Sequence, residues 1–294
     1  MTHAHHVVSH SYGTLLVLVL TGSVYARGWL RVRSSHTEAF PEWRAGSFLL
    51  GLFLIWVAVA SPVSGFVHEL LVAHMIQHLL LMTLAAPLIW IGEPLMPLMH
   101  GLPPSVVRRV VVPLRHRPSM RRLGRIISHP AACWLPASGT LVGWHIPTLF
   151  ALAMQSATWH TIEQASFLVT GLLFWWPVLQ SWPSVKRTEW STVVYLFLAT
   201  LPCDILSGFL VFCDRVVYPV YLSPSRLSSI SALEDQQCSG ALMWTVVTVI
   251  YLVAGAVLTA RLLSPQRSQE YWIAKQHSES SSATQTAGQS AEVV

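Results

Sequence analysis

Hydrophobic residues fall into seven runs separated by short polar or basic stretches: 14–30, 46–61, 67–91, 130–147, 158–179, 191–213 and 239–263. A helix needs ~20 mostly apolar residues to cross ~30 Å of hydrocarbon, and each run meets or approaches that length. The pattern predicts an all-α, polytopic membrane bundle of seven transmembrane helices over 14–263, preceded by an external His-rich segment over 1–13. The second and fourth runs, 46–61 and 130–147, have the least sharp limits.

The stretches between the runs set the orientation. Taken on alternate sides, every Lys and Arg except Arg215 and Arg226 falls on one side, which the bias of basic residues toward the cytoplasm makes the inner side. The amino terminus is then outside and the carboxyl terminus cytoplasmic. The largest basic stretch, 103–129, becomes a cytoplasmic loop carrying Arg108, Arg109, Arg115, Arg117, Arg121, Arg122 and Arg125. It suits a surface helix against anionic lipid headgroups, each basic residue contributing about 1 kcal/mol.

Composition agrees with lipid as the solvent. Apolar residues make up 53% of the 294 residues and charged ones only 11%, with mean hydropathy +0.51, more grease than one water-soluble core accommodates. The net charge of +5 is dispersed between apolar runs rather than gathered on one soluble face, which argues against nucleic acid as a partner. The start, MTHAHHVVSHSYG, lacks a basic residue ahead of the first apolar run, so that run is expected to be retained. The tail 264–294 is small, polar and of low complexity, and is expected to be disordered.

Fourteen histidines are many for so apolar a chain, and their depth matters more than their number. In the third run, His74 and His78 are i and i+4 and share a helix face, with Met75 and Met82 within about a quadrant of it. The alternating topology brings His145, near the end of the fourth run, and His160, near the start of the fifth, to the same outer half of the membrane. His74, His78, His145 and His160 are the candidate metal ligands, with Met75 as a thioether donor. Imidazole with thioether suits copper, while imidazole with carboxylate also suits zinc or iron; copper is preferred. Glu163 is a candidate for fixing an imidazole tautomer, and Asp204 with Cys203, after the helix-disturbing Pro202, for a pathway. His3, His5, His6 and His10 could capture metal outside, and Cys213 and Cys238, both at outer ends, are candidates for a disulfide.

Several blocks together resemble one family. AHMIQHLLLMTLAAPLIWIGEP in the third run is similar to a paired-histidine signature with a Gly-x-Pro ending; WHIPTLF, WHTIEQASFLVTGLLFWWPV, LPCDILSGFLVF, YPVY and EDQQCSGALMW follow in the same order. They resemble the seven-helix CtaG proteins, membrane factors for assembly of cytochrome c oxidase. The resemblance implies a non-enzymatic role in maturing the copper-containing oxidase, in a bacterial inner membrane, with oxidase subunits as partners and a periplasmic copper donor as a further one. A scaffold that binds no metal is the alternative within that class. Haem on histidines from neighbouring helices is a weaker one, since no C-x-x-C-H motif is present, and a relay through Asp204 and Glu163 finds few polar residues to continue it inward.

Overall fold

The computed structural model describes residues 2–34, 41–127, 129–179, 189–222 and 230–262, with side chains of the first helix described from Tyr12 onward. Among them the chain is helical throughout: α1 (Thr2–Arg33), α2 (Glu42–Ala60), α3 (Leu71–Ile91), α4 (Leu95–Gly101), α5 (104–116), α6 (Pro118–Ile127), α7 (Pro130–Trp144), α8 (Pro147–Gln155), α9 (Ala157–Leu179), α10 (Glu189–Phe212) and α11 (Ala232–Leu262). Short 3₁₀ turns over Pro62–His68 and Pro219–Leu222 close one end of the bundle.

Among the described residues six helices are long and apolar enough to cross a membrane: α1 from Tyr12, α2, α3, α9, α10 from Trp190, and α11 as far as Ala260. Polarity is inverted relative to a protein in water. Ile205 and Phe212 are more than 70% exposed, whereas His74 and Glu163 are fully buried, as lipid around and polarity within require.

The expected fourth span is where sequence and structure part. α7 has 15 residues and reaches only ~22 Å at 1.5 Å per residue. It ends at His145, Ile146 is extended, and Pro147 starts the nine-residue α8. A Pro at the first helical position lacks the N–H that would continue the preceding helix, so 130–147 is two elements rather than one rod. Non-helical backbone at such depth is tolerated only where protein satisfies it. Here the Tyr218 hydroxyl donates to the His145 carbonyl at 3.0 Å, and burial raises that phenol above its ordinary value, keeping the proton it donates.

Two close crossings position the helices. A Cβ on Gly28 would lie 1.7 Å from the Pro97 carbonyl oxygen, so α1 and α4 touch backbone to backbone. A Cβ on Gly171 would lie 2.8 Å from Met82 Cα, which seats α9 directly on α3. α3 itself winds into a π-helical stretch over Leu80–Ala85, two residues before Pro87. The Pro87 ring cannot donate and would collide with the carbonyl four residues back, and the wider turn removes that collision. The same arrangement recurs in α5, where Val107–Val111 is π-helical two residues before Pro113.

The basic loop is helical, as α5 and α6, and exposes Arg108, Arg109, Arg117, Arg122 and Arg125 beside Val110, Leu123 and Ile126. At that same end the turn after α3 is held by Tyr25 donating to the Gly92 carbonyl and by the Arg44–Glu93 ion pair. Glu93 takes a positive φ of 46° there. The tail 264–294 lies outside the described residues, as do the side chains of His3, His5, His6 and His10.

Candidate metal centre

The N-terminal half of α3 presents a face of unusual chemistry to the bundle interior. Its first turn has no cap of its own; Asp235 of α11 supplies one, accepting from Leu71 N at 2.9 Å and Val72 N at 3.1 Å. That anchor fixes the helix start one turn before His74. His74 and His78 then stack along one face, with Nε2 atoms 2.7 Å apart, so one donates and the other accepts.

α9 delivers the carboxylate. Glu163 Oε1 lies 3.4 Å from His74 Nε2 and 3.3 Å from His78 Nε2. All three groups are essentially sealed from solvent, and among the described residues neither oxygen of Glu163 nor the Nδ1 of either imidazole has a hydrogen-bond partner. Buried polar atoms rarely go unpaired, and each typically costs about 1–3 kcal/mol. Phe150 lies 4.9 Å from His74 and Phe167 is stacked 4.0 Å from His78, ring centre to ring centre, so apolar walls enclose the group.

The geometry fits a small cation. An ion held tetrahedrally at 2.0–2.1 Å from N and O donors separates those donors by about 3.3 Å. The two Glu163 separations already match that value, and the imidazole pair needs to open by about half an ångström. His160 completes the ring of donors: ligand atoms of His74, His160 and Glu163 lie within 4.8 Å of one another. Its Nε2 lies 3.1 Å from Gln77 Oε1 and 3.0 Å from Gln164 Nε2. A single nitrogen donates to the first or accepts from the second, so the tautomer selects between them. Gln77 is itself held by donating to the Ala58 carbonyl of α2.

His145 stands slightly apart. Its ring centre is 6.5 Å from that of His78; Nδ1 lies 2.7 Å from the Leu141 carbonyl, and Nε2 lies 3.3 Å from Met75 Sδ. Since Nδ1 meets a carbonyl, it carries the proton and Nε2 faces the thioether with its lone pair. Beneath this pair is a cavity of about 40 Å³, lined by Met82, Cys203, Met243 and Tyr251 among others.

Glu163 thus lies level with the imidazole nitrogens, while Cys203 reaches the adjoining cavity and lies 3.7 Å from Ser207 Oγ. Asp204 is half-buried on the next position around α10, with Oδ1 buried and unpartnered among the described residues. Cys213 and Cys238, the candidates for a disulfide, are both free here; Cys238 is exposed on α11 and Cys213 is half-buried after α10.

Sequence reasoning passed over Gln77, Tyr218, Tyr221 and the capping role of Asp235. Tyr221 donates to the Val67 carbonyl at 2.9 Å, and Gln236 ties Val217 N and the Arg215 carbonyl to α11. The signal for all of them was polarity within apolar blocks, but their partners lie up to 164 positions away.

These features define a helical membrane protein with an interior histidine–carboxylate cluster near one end. The family of cytochrome c oxidase caa3 assembly factors (Caa3_CtaG) matches residues 23–264, and the chain belongs to it. It is also similar to uncharacterized proteins of Mycobacterium bovis, 22% identical over 244 residues, and Mycobacterium leprae, 21% identical over 253 residues. Those alignments take in 80% and 83% of this chain but 36% and 37% of the relatives, so the chain spans little more than a third of their length. No solved structure matches the chain.

Proposed function

We propose that this assembly factor takes up a copper ion from the outer face of the membrane and holds it for the oxidase. The observation that carries the reading is the convergence of His74 Nε2, His78 Nε2 and Glu163 Oε1 within 2.7–3.4 Å of one another, sealed from solvent. Copper is the cargo, and His160 closes the donor set. The His145–Met75 pair supplies the imidazole and thioether that favour the monovalent ion. Glu163 contributes the negative charge that balances the ion at membrane depth.

Seven crossings, with α7 and α8 together making the fourth, put the amino terminus outside and the carboxyl terminus in the cytoplasm. The distribution of Lys and Arg supports this orientation, and it places the donors in the outer half of an inner membrane. His3, His5, His6 and His10 then gather metal outside, a periplasmic copper donor delivers it, and oxidase subunits receive it. The arginines of α5 and α6 rest on anionic lipid.

The test is complementation. In cells lacking the native protein, the wild-type chain restores copper content to purified oxidase, and a His74→Ala, His78→Ala double variant present at normal level in the membrane does not. Equal restoration by the double variant would leave a scaffold that assembles the oxidase without handling metal.

A further inference from the structure

Four imidazoles run from the surface to the buried donors. His68, at the end of the 3₁₀ turn before α3, is exposed. Its ring centre lies 5.8 Å from that of His160, edge to face. His160 is half-buried, and its ring is 5.6 Å from that of the fully buried His74. His74 in turn lies 4.3 Å from His78. His68 is exposed, His160 half-buried, and His74 and His78 are both buried.

The spacing is that of shared coordination. A cation bound at about 2.0–2.1 Å by a nitrogen of each of two imidazoles places the ring centres about 5–6.5 Å apart, according to the angle at the ion. The first two steps match it, so an ion leaving one ring is already within reach of the next and never has to be released bare into the apolar interior. Such release would forfeit its ligands in a low-dielectric medium, where an unpaired charge is most costly. The hold on His160 suits this use: Gln77 and Gln164 share one nitrogen, which can bond only one of them at a time, so exchanging that bond for a passing ion costs a single hydrogen bond.

We propose that His68 is the admission residue of a histidine relay, His68 to His160 to His74 and His78, through which a divalent or monovalent transition-metal cation is loaded. The inference rests on the copper reading above. In it His68 is not a ligand of the loaded state; it captures the ion first and hands it inward. His68 sets the rate of loading, and His160 with the deeper donors sets its extent.

The experiment is a loading time course on the purified full chain in detergent. Copper(II) glycinate is added in excess, samples are stopped with EDTA at intervals and desalted, and bound copper is measured. His68→Gln should slow loading at least tenfold while reaching the wild-type plateau, and His68→Cys, which restores a metal-binding side chain, should recover most of the rate. Wild-type speed in His68→Gln with the plateau intact overturns the relay and leaves the copper site standing. A lower plateau in His68→Gln also overturns it, by making His68 a ligand of the loaded state. Slow loading in both variants assigns the effect to packing and overturns it as well. If the wild type retains no copper, the site and the relay fall together.

Discussion

Replacing Glu163 by Gln keeps the side chain's shape and removes its charge, which separates the electrostatic part of metal binding from the geometric part. Oε1 stands 3.3 and 3.4 Å from the two imidazole nitrogens, so a cation held by both lies well within 4 Å of it. Unit charges 4 Å apart at an effective dielectric of ~20 interact by about 4 kcal/mol, part of which the amide dipole retains. A net loss of about 2.8 kcal/mol corresponds to about 100-fold in Kd. The metal-free protein should respond in the opposite sense. Neither carboxylate oxygen has a hydrogen-bond partner among the described residues, and a neutral amide costs less to bury than a charge, so the variant should unfold at an unchanged or higher temperature. Ligand stabilisation then shrinks: at a free copper concentration 1,000 times the wild-type Kd it is about 4.1 kcal/mol, and for a 100-fold weaker site about 1.4 kcal/mol. Competition with a chelator gives Kd, and thermal unfolding with and without copper gives the rest. A variant Kd within about threefold of wild type, or a large loss of stability without metal, would refute the role given to this carboxylate.

Three further outcomes follow from the packing. Asp235→Ala removes both acceptors for the start of α3 and should lower stability by about 2–3 kcal/mol, with Asp235→Asn recovering part, measured by denaturant or thermal unfolding in detergent. Tyr218→Phe leaves the His145 carbonyl without its donor and should cost about 1 kcal/mol, with no change in metal stoichiometry. Gly171→Ala places a methyl group against the backbone of Met82; it should destabilise by about 1–3 kcal/mol and weaken copper retention, because α9 carries His160 and Glu163 while α3 carries His74 and His78.

The sequence made the membrane class legible because the long apolar runs and the segregation of Lys and Arg are properties of local stretches. His74 with His78, and His160 with Glu163, were legible for the same reason: helical periodicity places each pair on one face, and depth brings the faces together. The way the backbone at His145 is held was not. It depends on α7 stopping after 15 residues, and that early stop is affordable only because Tyr218, 73 positions away, satisfies the exposed carbonyl. Periodicity is equally silent on the π-helical turn before Pro87, on the amide of Gln77 bridging α2 to His160, and on a helix cap supplied from α11. Each is a tertiary contact between residues that look like ordinary polar interruptions in their own segments. The approach of Glu163 to both imidazoles is of the same kind, since its reach across to α3 depends on the close approach at Gly171.

The central claim is that the buried histidine–carboxylate cluster holds a copper ion. Its most direct test is elemental analysis of detergent-purified protein after copper exposure and desalting, beside the His74→Ala, His78→Ala double variant. Near-stoichiometric copper in the wild type and its loss from a folded double variant is the predicted result; equal copper content in the two, or none in the wild type, would contradict it.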